Sequence, residues 1–187
     1  KVTISRALMS LSYPARFMLA VALNPCPCGY YTDTRHKCSC KPEQIQKYMA
    51  RISGPLLDRI DIHVEVPALT YDELSQKTSG QDSASLRKEV SRAREIQLSR
   101  FKSDRKLFCN AHMESRHIRK YCELNEDCQG LLKNAIEKLG LSARAYDRIL
   151  KVARTVADIE GKEFIESAHI SEAIQYRSLD RKLWMAN

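Results

Sequence analysis

Apolar and polar positions along the chain divide it into a strand-rich beginning, a polar middle and a helical remainder. Val2 to Arg6 and Phe17 to Leu23 predict two strands joined through Tyr13-Pro14-Ala15. The second is apolar on both faces, the pattern of a strand buried inside a sheet. It breaks at Asn24-Pro25, a turn-starting pair, so Asn24 is expected at the strand's carboxyl end. After Pro42, Ile45, Tyr48, Met49 and Ile52 recur at helical spacing until Ser53-Gly54-Pro55 stops them. Leu56 to Arg59 predicts a brief turn. Ile60, Ile62, Val64 and Val66 then alternate with Asp61, His63 and Glu65 up to Pro67, which predicts a further strand. Leu69 to Ser85 is polar and turn-rich, suited to a linker, with a domain boundary near Gly80.

Beyond that boundary every pattern is helical. Ser83 or Ser85 caps a long helix reaching Lys106, with a stripe of Leu86, Val90 and Ala93. Ser115 to Leu124 and Glu126 to Leu139 predict two more helices, the latter stopped by Gly140. A fourth begins at Ser142, with Ala145, Ile149, Val152, Val156 and Ile159 as its expected buried stripe. Ser167 caps a last helix through Tyr176, followed by a basic tail. The fold class expected is α+β, mostly helical: a few strands in residues 1–79, then an all-α domain in residues 80–187.

Composition narrows the function. In 187 residues, 43% are hydrophobic and 29% charged, the balance of a globular protein, and no apolar run approaches the roughly 18 residues of a membrane helix. The start, Lys1-Val2-Thr3-Ile4-Ser5, has no initiator Met and no signal-peptide pattern, so the chain is expected to begin inside a longer protein. A net charge of +8 favours a polyanionic partner, nucleic acid first and nucleotide phosphate second. Seven cysteines, four of them clustered, suit a reducing, cytoplasmic compartment better than a disulfide scaffold.

Those four are Cys26, Cys28, Cys38 and Cys40, two Cys-x-Cys pairs that could wrap one tetrahedral Zn²⁺ as thiolates. His36 is a reserve ligand. The one-residue intervals are tighter than zinc-finger spacing, and metal-free thiols are the plainer reading. Asn24 is either an ordinary turn starter or an amide aimed at a phosphate or an attacking water. Arg59 either pairs with Asp58 or Asp61 or projects toward a neighbour's phosphate. Arg144, Arg148 and Lys151 share a helix face, solvated or lining an anion site. Asp61, His63 and Glu65 are expected on an ordinary half-exposed strand, and Cys109, Cys122, Cys128, His112 and His117 as packing residues.

Five stretches together carry a resemblance: Ile4-Ser5-Arg6-Ala7, Tyr13-Pro14-Ala15-Arg16-Phe17-Met18-Leu19, Asn24-Pro25-Cys26-Pro27-Cys28-Gly29, Ile52 through Asp61, and Leu141-Ser142-Ala143-Arg144-Ala145-Tyr146. In this order they resemble the ComM/YifB group of magnesium-chelatase-like AAA+ ATPases. The resemblance implies a hexameric, ATP- and Mg²⁺-dependent motor acting on DNA as a branch-migration helicase. It implies that Asn24 is sensor 1, Arg59 a trans-acting arginine finger and Arg144 the sensor-2 residue of a helical lid, with Arg148 beside it at the nucleotide. Val2 to Arg16 would match a hairpin that meets DNA, with Lys1, Arg6 and Arg16 as its cations. No Gly-x-x-x-x-Gly-Lys-Ser/Thr occurs, and Asp72-Glu73 follows no apolar strand, so the phosphate loop and the Mg²⁺-holding acids are expected upstream of Lys1. This portion alone is then expected to be inactive. A zinc-stabilised, non-catalytic nucleic-acid-binding module and a magnesium chelatase subunit are the alternatives.

Overall fold

The computed structural model describes residues 1–6, 9–15, 17–71, 75, 80–104 and 106–177. Arg16, expected to contact DNA, and Asp72-Glu73 lie outside the described residues. Two compact units, residues 1–45 and 46–187, part within a helix at 42–49.

In the first unit, β1 (Val2–Arg6) pairs antiparallel with β2 (Met9–Tyr13), Val2 opposite Tyr13 and Arg6 opposite Met9. Opposite residues share a face. One face carries Val2, Ile4, Met9, Leu11 and Tyr13 with Arg6; the other carries only hydroxyls, paired as Thr3 with Ser12 at 2.8 Å and Ser5 with Ser10 at 3.0 Å. The hairpin implied by the resemblance is present, and β2 replaces part of what the periodicity had assigned to a connection.

The expected strand at Phe17 to Leu23 does not form. The segment is extended and irregular, with Phe17 77% and Met18 94% exposed. A two-faced apolar strand needs ladder partners on both edges, and β1–β2 is the only paired ladder among the described residues. The expected strand at Ile60 to Val66 fails for the same reason: alternation sorts the two faces, but no described segment pairs along either edge, and Val66 is 84% exposed.

The helical elements follow their local signals more closely. They are α1 (Pro42–Met49), α2 (Gly54–Leu57), α3 (Ser83–Arg100), α4 (Ser115–Tyr121), α5 (Glu126–Leu139), α6 (Ala143–Glu160) and α7 (Ser167–Gln175). The sequence expectation of a turn at Leu56 to Arg59 becomes the single helical turn α2 and its exit. α3 stops six residues early, because Phe101 turns into the core against Tyr121 at 5.4 Å. Its cap is Asp82, whose carboxylate accepts the Ser85 N–H at 2.7 Å. Gly140 ends α5 at φ 53°, a left-handed position that costs glycine nothing, and Ser142 caps α6 through the Ala145 N–H at 3.2 Å.

Phe101, Leu107, Met113, Ile118, Leu132, Ile149, Leu150, Ile165 and Ile170 form the core of this unit, with Cys122 and Cys128 packed among them as expected. A polar group is buried alongside. Asp158, fully inaccessible on α6, accepts from Arg100 of α3 at 2.7 Å, Arg154 at 3.1 Å and Asn110 at 2.8 Å. Burial draws the Arg154 guanidinium below its ordinary range, with Asp158 opposing that shift. Removing this carboxylate takes the counter-charge from two guanidiniums, each buried or nearly so, and leaves them only neutral acceptors among the described residues. Asp158→Ala is therefore expected to lower the unfolding free energy by about 3–5 kcal/mol, measured by urea denaturation followed by circular dichroism. A loss below about 1 kcal/mol would remove the carboxylate as the unit's tie.

Candidate functional site

Two sites emerge, one in each unit. In the first, Gly29 at φ 86° closes a turn by donating its N–H to the Cys26 carbonyl at 3.1 Å. Farther on, Asp33 accepts the N–H groups of Arg35 at 2.6 Å and His36 at 3.0 Å. These turns fold the loop back and converge the two Cys-x-Cys pairs. The sulfurs of Cys26, Cys28, Cys38 and Cys40 all lie within 4.8 Å of one another, with Cys26–Cys28 at 3.3 Å, Cys28–Cys38 at 3.5 Å and Cys26–Cys38 at 3.7 Å. Four thiolates about 2.3 Å from one Zn²⁺ would stand about 3.8 Å apart along the tetrahedron's edges, so the donor set fits that ion with little adjustment. His36 stays outside the set, with Nδ1 3.4 Å from Asp33 and its ring 4.9 Å from that of Tyr30.

The thiols are electrostatically unequal. The Tyr30 backbone N–H, more than any other group, lowers Cys28 to about 5, helped by the Ser39 N–H and outweighing partial burial. Cys38 is pushed up to about 12. The Cys40 N–H, its largest single influence, acts downward but is outweighed by desolvation and the adjacent sulfurs. Asn24, just before this loop, is exposed and ends no strand. Lys1 and Arg6 are exposed on the hairpin, and the first acidic residue of the chain is Asp33.

In the second unit a cleft of about 700 Å³ runs along α6. Arg144, Arg148 and Lys151 line it together with Val152, Val156 and Ile159. The stripe expected to be buried is thus divided. Ala145 and Ile149 enter the core with Leu150, Ala153 and Ala157, whereas Val152, Val156 and Ile159 face the cleft. The core-facing arc is rotated from the predicted one because Arg154 and Asp158 occupy part of it.

The cations differ in their engagement. Arg148 pairs with Asp61, and Lys151 donates to the Ala111 carbonyl at 3.2 Å, with burial drawing its pKa down. Arg144 is exposed and makes no ion pair or hydrogen bond among the described residues. Arg59, also exposed, donates to the Pro55 carbonyl at 2.6 Å. The two carboxylates that could have neutralised Arg59 are engaged elsewhere. Asp58 accepts from Ser142 at 3.1 Å and from Arg177 at 3.4 Å, and Asp61 holds Arg148. Asp58, Ser142 and Arg177 form a contact that the sequence reading missed. Only the fixed order Asp58-Arg59 hinted at them, since Arg177 had been assigned to the start of a basic tail.

A hairpin with an extended apolar run, a four-thiol loop, and a helical unit that holds a cleft lined by charges of both signs lead to the class: the chain belongs to the magnesium chelatase ChlI family of AAA+ proteins. Residues 1–74 match the model for magnesium chelatase, subunit ChlI, and residues 80–177 match that for magnesium chelatase, subunit ChlI C-terminal. Within the family it is similar to competence protein ComM of Haemophilus influenzae, at 44% identity over 98% of the chain. It is equally similar, at 44% over the same share, to uncharacterized protein YifB of Salmonella typhimurium, and 41% identical to YifB of Escherichia coli. The chain spans about 35% of the length of each of these relatives. No described helix is long and apolar enough to cross a membrane.

Without metal, Cys28 is expected to be the loop cysteine alkylated first by iodoacetamide between pH 6 and 8. Its thiol is ionised there, whereas that of Cys38 is not. Peptide mass spectrometry after brief labelling reads the order, and equal labelling of Cys28 and Cys38 would contradict it.

Proposed function

We propose that the chain is part of an ATP-driven, hexameric motor that acts on DNA, of the branch-migration helicase type, working in the cytoplasm. The supporting observation is Arg59: exposed, with both flanking carboxylates committed elsewhere, it is left to meet a charge from outside the subunit. A planar guanidinium in that state suits the trans-acting arginine finger of phosphoryl transfer, where it stabilises charge that develops on the γ-phosphate of the adjacent subunit. Arg144, unpaired in the cleft, is assigned as sensor 2, with Arg148 beside it at the nucleotide, and Asn24 as sensor 1, orienting the attacking water. In this reading residues 1–79 supply the end of the ATPase core and residues 80–187 its lid.

ATP and Mg²⁺ would be bound chiefly by a phosphate loop absent from these 187 residues, so this chain alone has Arg59 and Arg144 to offer but no cradle. The printed name of the Haemophilus relative, a competence protein, agrees with a role on DNA. The hairpin is the proposed contact, since Lys1, Arg6 and Arg16 are met by no acid through residue 32. Zn²⁺ held by Cys26, Cys28, Cys38 and Cys40 would clip the loop into shape. The thiol cluster also favours a second reading, a zinc-stabilised nucleic-acid module without catalysis.

Arg59→Ala separates the two readings. In the full-length protein it is expected to reduce ATP turnover by about 10³-fold or more while nucleotide affinity stays within about twofold, because a finger acts in the neighbour's transition state. Unchanged turnover would remove the finger. Zinc is expected at one ion per chain after purification under reducing, chelator-free conditions, read by elemental analysis, and Cys26→Ser should eliminate it. Far less than one equivalent in the unsubstituted chain would leave the thiols without a metal.

A further inference from the structure

The segment that carries Arg59 is tied at four points to the two helices that flank the cleft. Ser142 Oγ, which caps α6 two residues before Arg144, donates to both Asp58 oxygens at 3.1 Å. Arg177, 2% exposed just beyond α7, donates to Asp58 at 3.4 Å and to the Ile60 carbonyl. The His63 N–H donates to the Tyr176 carbonyl at 2.9 Å, and Arg148 holds Asp61. The residues on either side of Arg59 are therefore pinned, while the Arg59 guanidinium donates to the Pro55 carbonyl and its N–H to the Leu56 carbonyl.

We propose that Asp58, Ser142 and Arg177 are positioning residues: they staple the Arg59 segment to the helix of Arg144, so that the two cations move as one body. This rests on the proposed roles of Arg144 as sensor 2, taken to meet its own subunit's nucleotide, and of Arg59 as the finger for its neighbour's. Under that assignment a shift of α6 when nucleotide reaches Arg144 is transmitted through Ser142 and Asp58 to the finger. Occupancy of one site then sets the catalytic geometry of the next. Asp58 is the shared acceptor of the arrangement, because one carboxylate accepts from both the α6 cap and the residue after α7. Ser142 performs two roles through one hydroxyl, accepting the Ala145 N–H at 3.2 Å to cap the helix and donating to Asp58.

That double role allows the staple to be cut without uncapping the helix. Ser142→Asp keeps a good cap but cannot donate, and it faces Asp58 with a like charge. Ser142→Asn keeps both the cap and a donor. Hydrogen–deuterium exchange on this chain should show the amides of residues 60–63 exchanging about tenfold faster in Ser142→Asp, with the interior of α6 unchanged and Ser142→Asn close to wild type. Equal protection in all three would overturn the staple.

The coupling is read in the full-length protein. Asp58→Ala should lower kcat for ATP by roughly ten- to a hundredfold with KM within about twofold, and Asp58→Asn, which retains an acceptor, should recover most of it. If Asp58→Ala fails to fold, Ser142→Asp takes its place in the same assay. Fast exchange with an unchanged kcat would overturn the coupling and leave the staple as architecture only. Absence of ATP turnover from the unsubstituted full-length protein would remove the ATPase reading and the coupling with it, while the exchange result still decides the staple.

Discussion

A carboxylate taken wholly out of water is unfavourable unless its charge and lone pairs are met, and Asp158 is met from three directions. Arg100 arrives from α3, Arg154 from one turn earlier on α6, and Asn110 from the short helical turn between α3 and α4. Desolvation makes each partner costly to lose, so the set fixes the relative placement of these elements more sharply than the apolar core around it could. Apolar contacts tolerate sliding; a carboxylate surrounded by directed donors does not.

The cleft inherits its shape from that constraint. Because Arg154 and Asp158 face inward, α6 is rotated so that Val156 and Ile159, with Val152 at the core's edge, line the cleft beside Arg144, Arg148 and Lys151. The cleft therefore has an apolar wall beside charges of both signs, the cations facing the carboxylates of Asp61, Asp147 and Glu172. The α6 cap meets Asp58, which ties the Arg59 segment to this frame. A polar choice inside the core thus has consequences for the chemistry outside it.

The thiol loop obeys a different logic. Its convergence depends on two local turns, at Gly29 and at Asp33, and on no core of its own. The four sulfurs reach each other because the chain between the pairs is short and its turns are held by a backbone bond at Gly29 and by side chain to backbone bonds at Asp33. Such a loop is well suited to stabilisation by a metal, since few apolar contacts otherwise hold it.

Features governed by neighbours in sequence were legible in it. The end of α5 at Gly140, the cap at Ser142, the span of α7 and the pairing of the cysteines all follow from spacing within a few residues. The strands at Phe17 to Leu23 and Ile60 to Val66 were not legible in this way, because a strand exists only where another segment offers it a ladder, and periodicity is silent about that partner. Arg59 shows the division most clearly. Its sequence places it between two acids that could have neutralised it. The tertiary structure gives Asp58 to Ser142 and Arg177, more than eighty residues away, and Asp61 to Arg148, leaving its charge without a carboxylate partner among the described residues. Which carboxylate meets which cation is decided by distance in space, and that only the packed helices could settle.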